Sequence, residues 1–293
     1  MTKPRMLPRL VVAALFACGL WAQGDWRFAD PNSTLLAGLN WRSTIDSPIG
    51  PSLKAAIVRF QSTALLGPAI DQVDSLRWSS TTAQKSGRTT TQWVLALAGR
   101  FDPDALSAQL GALGYVPQAY RSLTLLVPTR STSRAVQLAI VDAGTILLAD
   151  ADPLRRAVDR ILDSAGAPQN PLFAQSDALA AGNELWVVGS GSPLVLYPRQ
   201  VPAIVASLPP VQGYSLALAL RDSPALKLSL AANSAAEADV FVQLLRLLPL
   251  ALKVQPAERQ LLQAVWAQAQ FTQENGVAHA VIPLDPLLRA LVP

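Results

Sequence analysis

The chain contains a single histidine, His279, and a single cysteine, Cys18. Histidine is the side chain that most readily serves as a general base near neutral pH, and a serine hydrolase would combine it with a nucleophilic serine and an acid such as Asp285. Alanine and valine flank His279 on both sides, and the sequence places no nucleophile or acid beside it. We therefore expect a structural histidine within a strand, and a serine-type hydrolase using His279 is the alternative.

Other reactive residue types also lack the spacing that catalysis or metal binding requires. The segment at residues 189–193 (GSGSP) has proline where a nucleophile elbow needs glycine, so we interpret its glycines as turn residues. Asp71 and Asp74 lie close together, but no third ligand is in view. We expect no catalytic residue, no cofactor and no metal site.

Tryptophans are the residues most suggestive of ligand binding. Four of them fall on or beside predicted strands, namely Trp41, Trp78, Trp93 and Trp186. They would form an aromatic floor for a ligand, or simply fill the core between sheet and helices, which is the commoner role. Trp78 leads into a Ser/Thr-rich stretch, residues 79–91, which we expect to be an exposed, mobile loop. Trp78, Lys85 and Arg88 are the candidate ligand contacts.

The first 22 residues have the pattern of an export signal. Three basic residues precede an apolar stretch at residues 10–20, and cleavage is expected between Ala22 and Gln23. Residues 15–18 (LFAC) are also similar to a lipobox, in which Cys18 would carry a lipid anchor, and an uncleaved anchor is the third alternative. The expected location is periplasmic or secreted, with an outer-envelope lipoprotein as the alternative.

Composition limits the partners. Three of the 24 lysines and arginines lie in the signal, so the remaining chain, with its 20 acidic residues, is nearly neutral and unlike a nucleic-acid-binding protein. Hydrophobic residues make up 51% and charged residues 15% of the chain, which indicates large buried faces or a partner surface. No other segment is long and apolar enough to span a membrane, so we expect no transmembrane span after the signal.

The sequence matches itself at an offset of 133 residues. Residues 93–99 (WVLALAG) align with residues 226–232 (LKLSLAA), and residues 152–158 (DPLRRAV) align with residues 285–291 (DPLLRAL). Turns at residues 142–144 and 274–276 predict a hairpin before each of the latter segments. Two matches at one offset suggest a duplication.

These patterns predict an α+β fold of two tandem repeats, each a mainly antiparallel sheet covered on one face by helices. The expected divisions are the signal peptide at 1–22, a first repeat at 23–170 and a second at 171–293, with a linker in the Ala/Gly/Pro/Ser-rich residues 164–182. Asp102, Asp152, Asp285 and Ser234 are the predicted helix N-caps. Residues 235–252 form a helix that is apolar nearly all round, which we expect to lie between the sheet and a neighbour, or else to face a partner or lipid.

Residues 30–41 (DPNSTLLAGLNW), followed by residues 47–50 (SPIG), resemble the start of the mature chain in a group of uncharacterised exported bacterial proteins. This resemblance implies an envelope or secreted location and no assigned activity. Together with the missing chemistry, it favours a non-enzymatic exported scaffold that binds an unknown protein or an apolar ligand. The alternatives are the hydrolase using His279 and a carrier of an apolar molecule.

Overall fold

The computed structural model describes residues 26–48, 50–51, 54, 70–85, 88–130, 135–163, 170–191, 209–221, 223–251 and 256–291. The predicted signal at 1–22, its cleavage site between Ala22 and Gln23, and Cys18 lie outside the described residues.

Twelve strands and seven helices can be delimited in the described part of the chain. The strands are β1 (Leu35–Leu39), β2 (Val73–Lys85), β3 (Arg88–Gly99), β4 (Tyr115–Tyr120), β5 (Leu123–Pro128), β6 (Gln137–Asp142), β7 (Thr145–Ala149), β8 (Leu185–Ser190), β9 (Gly213–Ala219), β10 (Ala225–Ala231), β11 (Gln270–Glu274) and β12 (Val277–Pro283). The helices are α1 (Trp41–Ile45), α2 (Pro103–Ala112), α3 (Ala151–Leu162), α4 (Pro171–Ala180), α5 (Ala235–Ala251), α6 (Pro256–Trp266) and α7 (Asp285–Leu291).

All twelve strands form one sheet, in the order β11-β12-β10-β9-β8-β1-β2-β3-β7-β6-β5-β4. Every neighbouring pair is antiparallel, so the predicted α+β class with an antiparallel sheet is confirmed. In the centre, β1 pairs with β8 in the register Ala37↔Val187. The sheet therefore continues across the predicted division at residue 171.

Helices pack on both faces of this sheet, which corrects the expectation that they cover one face. On β3, Leu97 belongs to a core cluster with Leu106 of α2, and we call this side the front face. Val94 and Ala96 of the same strand pack with Leu154 of α3, and we call that side the back face. Successive side chains of a strand point to opposite faces, and β3 is apolar on both.

Two tight turns lie where the sequence predicted hairpins. Asn275 and Gly276 connect β11 to β12 with φ angles of 51° and 77°, the left-handed geometry that an Asn-Gly pair readily adopts. Between β6 and β7, Asp142 Oδ1 accepts the Gly144 N–H at 2.7 Å. Both predicted hairpins are confirmed.

The Ser/Thr-rich stretch forms strand at residues 79–85 and 88–91 rather than the predicted loop. Strands β2 and β3 continue through them, pairing from Val73↔Gly99 to Lys85↔Arg88. Threonine is β-branched and favours extended backbone, and this preference prevails over the polarity of the segment.

Helix α4 lies inside the predicted linker. Asn170 caps it by accepting the Leu172 N–H at 3.0 Å, and Leu172 and Phe173 are buried against the back face. The linker prediction is therefore wrong for residues 171–180, because a small-residue helix with a proline in its first turn has the composition of a linker.

Among the predicted caps, Asp102 accepts two backbone N–H groups at 3.0 Å and Ser234 Oγ accepts the Glu237 N–H at 3.2 Å, as expected. Asp152 is not an N-cap, because α3 begins at Ala151 and Asp150 occupies the cap position without a side-chain hydrogen bond. Asp285 is not an N-cap either, because it is the first residue of α7.

The apolar helix α5 packs on the front face through Phe241, Val242 and Leu245, and Trp266 of α6 donates a hydrogen bond to the Leu245 carbonyl. Its Val240 and Leu247 are exposed. No helix in the described part of the chain is long and apolar enough to cross a bilayer.

A candidate ligand-binding groove

A groove of about 350 Å³ lies on the back face, between α4 and the strands β9, β10 and β12. Gln175, Ala178 and Leu179 of α4 form its wall. Ser215, Ser229, Ala231 and Val277 line the strand side.

Helix α4 is held in a fixed rotation beside the groove. Its Asn170 Nδ2 donates to the Ser33 carbonyl at 2.9 Å, which attaches the start of the helix to the segment before β1. Fully buried Ser176 accepts the Trp186 Nε1–H at 2.8 Å, which attaches the middle of the helix to β8. Because Ser176 faces the sheet, Gln175 and Ala178 remain exposed along the groove.

Beside the groove, four polar side chains form a row across four neighbouring strands. The register pairs Ser215 with Ser229, Ser229 with His279, and His279 with Thr272. With strands about 4.8 Å apart, the row spans about 14 Å. Ser215, Ser229 and His279 are half-buried, and Thr272 is exposed.

Ser229 Oγ and His279 Nδ1 lie 2.9 Å apart. The prediction that His279 lies within a strand is confirmed, and its cross-strand partner is a hydroxyl rather than an acid. Asp285 begins α7 six residues further along the chain, which corresponds to about 20 Å of extended backbone. Among the described residues, no carboxylate is hydrogen-bonded to His279.

The structure does not bring the sequence-predicted ligand contacts to the groove. Trp78 lies on the front face, where it pairs with Ala37 and Leu95 and stacks on Trp93 at 4.8 Å between ring centroids. Lys85 and Arg88 pair at the end of the β2–β3 hairpin, and their side chains lie outside the described residues.

The carboxylates that sequence analysis considered for metal binding have cationic partners. Asp71 pairs with Lys54, and Asp74 accepts a hydrogen bond from Arg42 Nη2 at 3.1 Å. Within the described ranges, no group of three or more His, Cys, Asp or Glu side chains is placed to hold a metal ion.

The sequence pattern alone does not single out Gln175, Ser215 or Ser229. The available signal was the alternation of small or polar residues with leucine on β9 and β10, which predicts one lightly packed sheet face. Small residues produce a groove only where a neighbouring helix supplies a wall. That helix is α4, and its composition had predicted a linker instead.

Comparisons of the chain with protein-family models, with curated proteins and with solved structures gave no match.

Proposed function

We propose that this protein is an exported, non-enzymatic binding protein that holds a neutral amphiphilic molecule in the groove between α4 and the back face. The observation that carries the proposal is the groove itself. Its volume of about 350 Å³ falls at the lower end of the range of small-molecule sites. Its mainly apolar lining with a few polar groups is also the usual composition of such sites.

The chemistry of the lining favours a neutral ligand. Every lining side chain is uncharged. Ala178, Leu179, Ala231 and Val277 offer apolar contacts, whereas Gln175, Ser215 and Ser229 can donate or accept hydrogen bonds. A charged ligand would lose hydration here without gaining a counter-ion, and that loss is costly.

An internal duplication, which we propose on the basis of the matching segments, accounts for the open face. Outward from the central β1–β8 pair, one side of the sheet runs β8-β9-β10-β12-β11 and the other begins β1-β2-β3-β7-β6. In this scheme Ala96 corresponds to Ser229, and the cross-strand partners of these two residues are Leu147 and His279. Ala96 and Leu147 are buried in the core cluster to which α3 contributes, whereas Ser229 and His279 are half-buried.

Helix α7 occupies the place in the chain that corresponds to α3. Its contacts are with α6, and α6 itself adjoins α5 and β12. The back face of β10 and β12 therefore keeps polar and half-exposed side chains, where the corresponding strands β3 and β7 carry the buried Val94, Ala96, Leu147 and Ala149. This difference suits the second half to ligand binding.

Export is the cellular part of the proposal, and it rests on the signal pattern and on the resemblance. Trp26 is only 4% exposed and donates a hydrogen bond to Asp177 Oδ1 at 3.1 Å. Cleavage before Gln23 would leave Trp26 as the fourth residue, so the folded body would begin almost at the new N-terminus.

The test is to purify the protein, extract it with organic solvent, and titrate it with the neutral fluorescent probe N-phenyl-1-naphthylamine. We expect one co-extracted neutral amphiphile near stoichiometric amount, or saturable binding of one probe molecule to extracted protein. If no molecule is extracted and the probe shows no saturable binding, the proposal is wrong.

The Ser229–His279 pair favours a second candidate function, a serine hydrolase in which His279 would activate Ser229. Such a hydrolase requires a nucleophile and a base within hydrogen-bond distance of each other, and Ser229 and His279 meet this requirement. The strand backbones around both residues are engaged in ladder pairing, which leaves few N–H groups for an oxyanion hole. A fluorophosphonate probe that labels Ser229, identified by peptide mass spectrometry, would establish this candidate over the first.

A further inference from the structure

Within the described ranges, the sheet ends at β11 on one side and at β4 on the other. An edge strand presents unpaired backbone N–H and C=O groups, and proteins commonly block such an edge with proline or lysine. Strand β4 contains Pro117 and is blocked in this way. Strand β11 (QFTQE) contains neither proline nor lysine. The β11 edge is therefore open to pairing with another strand.

The hydrogen-bonding ladder shows which groups of β11 point outward. The Gly276 carbonyl accepts a hydrogen bond from the N–H that follows β10, so Gly276 faces β10. Hydrogen-bonding directions alternate along a strand, so the next residue, Val277, bonds to its partner Glu274 on β11. Counting back from Glu274, every second residue of β11 bonds to β12. Phe271 and Gln273 lie between these residues and direct their backbone groups away from the sheet.

Two copies of β11 fit each other when a two-fold axis passes through Thr272. In antiparallel pairing about this residue, the outward groups of Phe271 bond in both directions to those of Gln273 in the second copy. Thr272 then faces its own copy, and Gln270 faces Glu274. The Gln270 amide can donate to the Glu274 carboxylate, and like charges do not face each other. In this register β11 is complementary to itself.

Helix α5 runs alongside β11 on the front face. It packs on both β11 and β12. The chain enters α5 shortly after Ala232, whose N–H donates to the Gly276 carbonyl at 2.9 Å. Further along the helix, the Arg246 guanidinium lies 5.8 Å from the centre of the Phe271 ring. The helix therefore runs from the turn end of β11 past Thr272, the residue on the axis.

The same axis places α5 of one copy beside α5 of the other. Because α5 straddles β11 and β12, and strands lie about 4.8 Å apart, the two helix axes would be about 10 Å apart, a usual distance for packed helices. The two helices run antiparallel.

The charges on the outer side of α5 fit this arrangement. Asp239 and Arg246 lie about two turns apart on one side of the helix, and both are exposed. Among the described residues, neither forms an ion pair. The two-fold axis passes between them, so Arg246 of one copy lies opposite Asp239 of the other.

We propose that this protein forms a symmetric dimer through the β11 edge, in which the two sheets join into one and the two α5 helices pack side by side. The partner at this edge is a second copy of the chain, because the strand register, the helix spacing and the charges of α5 all fit one two-fold axis. The proposal does not depend on the ligand of the groove.

Sedimentation velocity of the purified protein over a wide range of concentrations tests the dimer. We expect a reversible change from the mass of one chain to that of two, since a short edge makes a small interface. Gln273→Pro removes an outward N–H and leaves the ladder to β12 intact, so it should abolish the dimer.

Ala119→Pro on β4 is the matched control. The Thr129 N–H donates to the Gly114 carbonyl, so by the same alternation the Ala119 N–H points outward from the other edge. Ala119 is exposed, and this variant should dimerise like the wild type.

Two lysine substitutions with the same change in charge test the register. Thr272 and Gln270 are both exposed on the back face. Thr272→Lys should raise the dissociation constant about tenfold, because the two lysines face each other at the axis. Gln270→Lys should lower it several-fold, because the lysine faces Glu274 of the second copy.

A charge reversal tests the helix contact. Asp239→Arg should weaken the dimer about tenfold, and adding Arg246→Asp should restore it, because each new arginine again faces an acid. A wild-type protein that stays monomeric at every concentration would overturn the proposal. A dimer that Gln273→Pro leaves intact, equal effects of the two lysine substitutions, or no recovery in the double reversal would also overturn it.

Discussion

Ser229 and His279 face each other across strands β10 and β12, with Ser229 Oγ 2.9 Å from His279 Nδ1. The pair lies in the middle of the polar row, and Ser229 also lines the groove. Its hydroxyl therefore has two partners available, the imidazole of His279 and a ligand. This arrangement links the one histidine of the chain to the proposed binding site.

Ser229→Ala should weaken the binding of the extracted amphiphile or of N-phenyl-1-naphthylamine, and it should hardly alter folding. The lost hydrogen bond joins two half-buried groups, so we expect a change in unfolding free energy of about 1 kcal/mol or less in urea titrations. Ligand affinity should fall several-fold, and Ser223→Ala, an exposed serine outside the groove, is the control. Destabilisation by several kcal/mol would show that the pair is structural.

Glu184 is expected to be the more important polar residue for stability. Its side chain is 4% exposed and accepts hydrogen bonds from Ser43 Oγ at 2.8 Å, the Leu220 N–H at 2.7 Å and Arg221 Nε at 2.7 Å. Glu184→Gln removes the charge and replaces one acceptor by a donor, which we expect to cost about 2 kcal/mol in urea unfolding. Asp74→Asn, which alters a partly exposed ion pair, should cost much less.

The Arg121–Asp163 ion pair should make stability depend on pH in the acid range. Arg121 Nη2 donates to Asp163 Oδ1 at 2.7 Å, and this hydrogen bond lowers the pKa of Asp163 below its ordinary value. A lowered pKa in the folded state stabilises the protein above the ordinary aspartate pKa of about 3.9. That contribution is lost as the pH falls through the folded pKa.

We therefore expect Asp163→Asn to be less stable than the wild type in urea at pH 6 and to approach it at pH 3. The substituted residue cannot titrate, whereas the wild-type carboxylate becomes protonated at low pH. A stability difference that stays constant between the two pH values would contradict this assignment.

Processing of the N-terminus tests the export part of the account. Intact-mass measurement of the protein recovered from its native host should give a chain beginning at Gln23. Cys18→Ser should leave that mass unchanged, since Cys18 is removed with the signal. A mass increased by lipid on Cys18, or a block of processing by Cys18→Ser, would instead establish the lipoprotein alternative.

Much of the fold was predictable where local chemistry determines structure. The Asn275-Gly276 turn specifies its hairpin because both residues tolerate left-handed backbone, and Asp102 and Ser234 cap helices through side-chain acceptors close in sequence. The strand assignment of His279 followed from its apolar flanks. These signals extend over only a few residues, so tertiary packing did not need to be known.

Predictions failed where packing over long distances overrides local composition. Residues 79–85 and 88–91 are mostly polar, and yet they form strand because β2 and β3 pair along nearly their whole length. Helix α4 has the composition of a linker, and it is held by Trp186 and Ser33 from distant parts of the chain. The division of helices between the two faces likewise depends on the path of the chain.

The candidate site was the least predictable part. The groove arises where Gln175, Ser215 and Ser229, which are up to 54 residues apart in sequence, meet at one place. None of the three belongs to a recognisable motif, and two are small strand residues. The strong sequence signals, Trp78 and the basic residues after it, lie on other parts of the sheet.

The most direct measurement of the central claim compares probe binding by Ala178→Trp and Ala174→Trp. Both alanines are exposed on α4, one turn apart, but only Ala178 lines the groove. The account predicts that Ala178→Trp fills the groove and weakens N-phenyl-1-naphthylamine binding about tenfold or more, while Ala174→Trp binds like the wild type. Equal affinity in the two variants would contradict it.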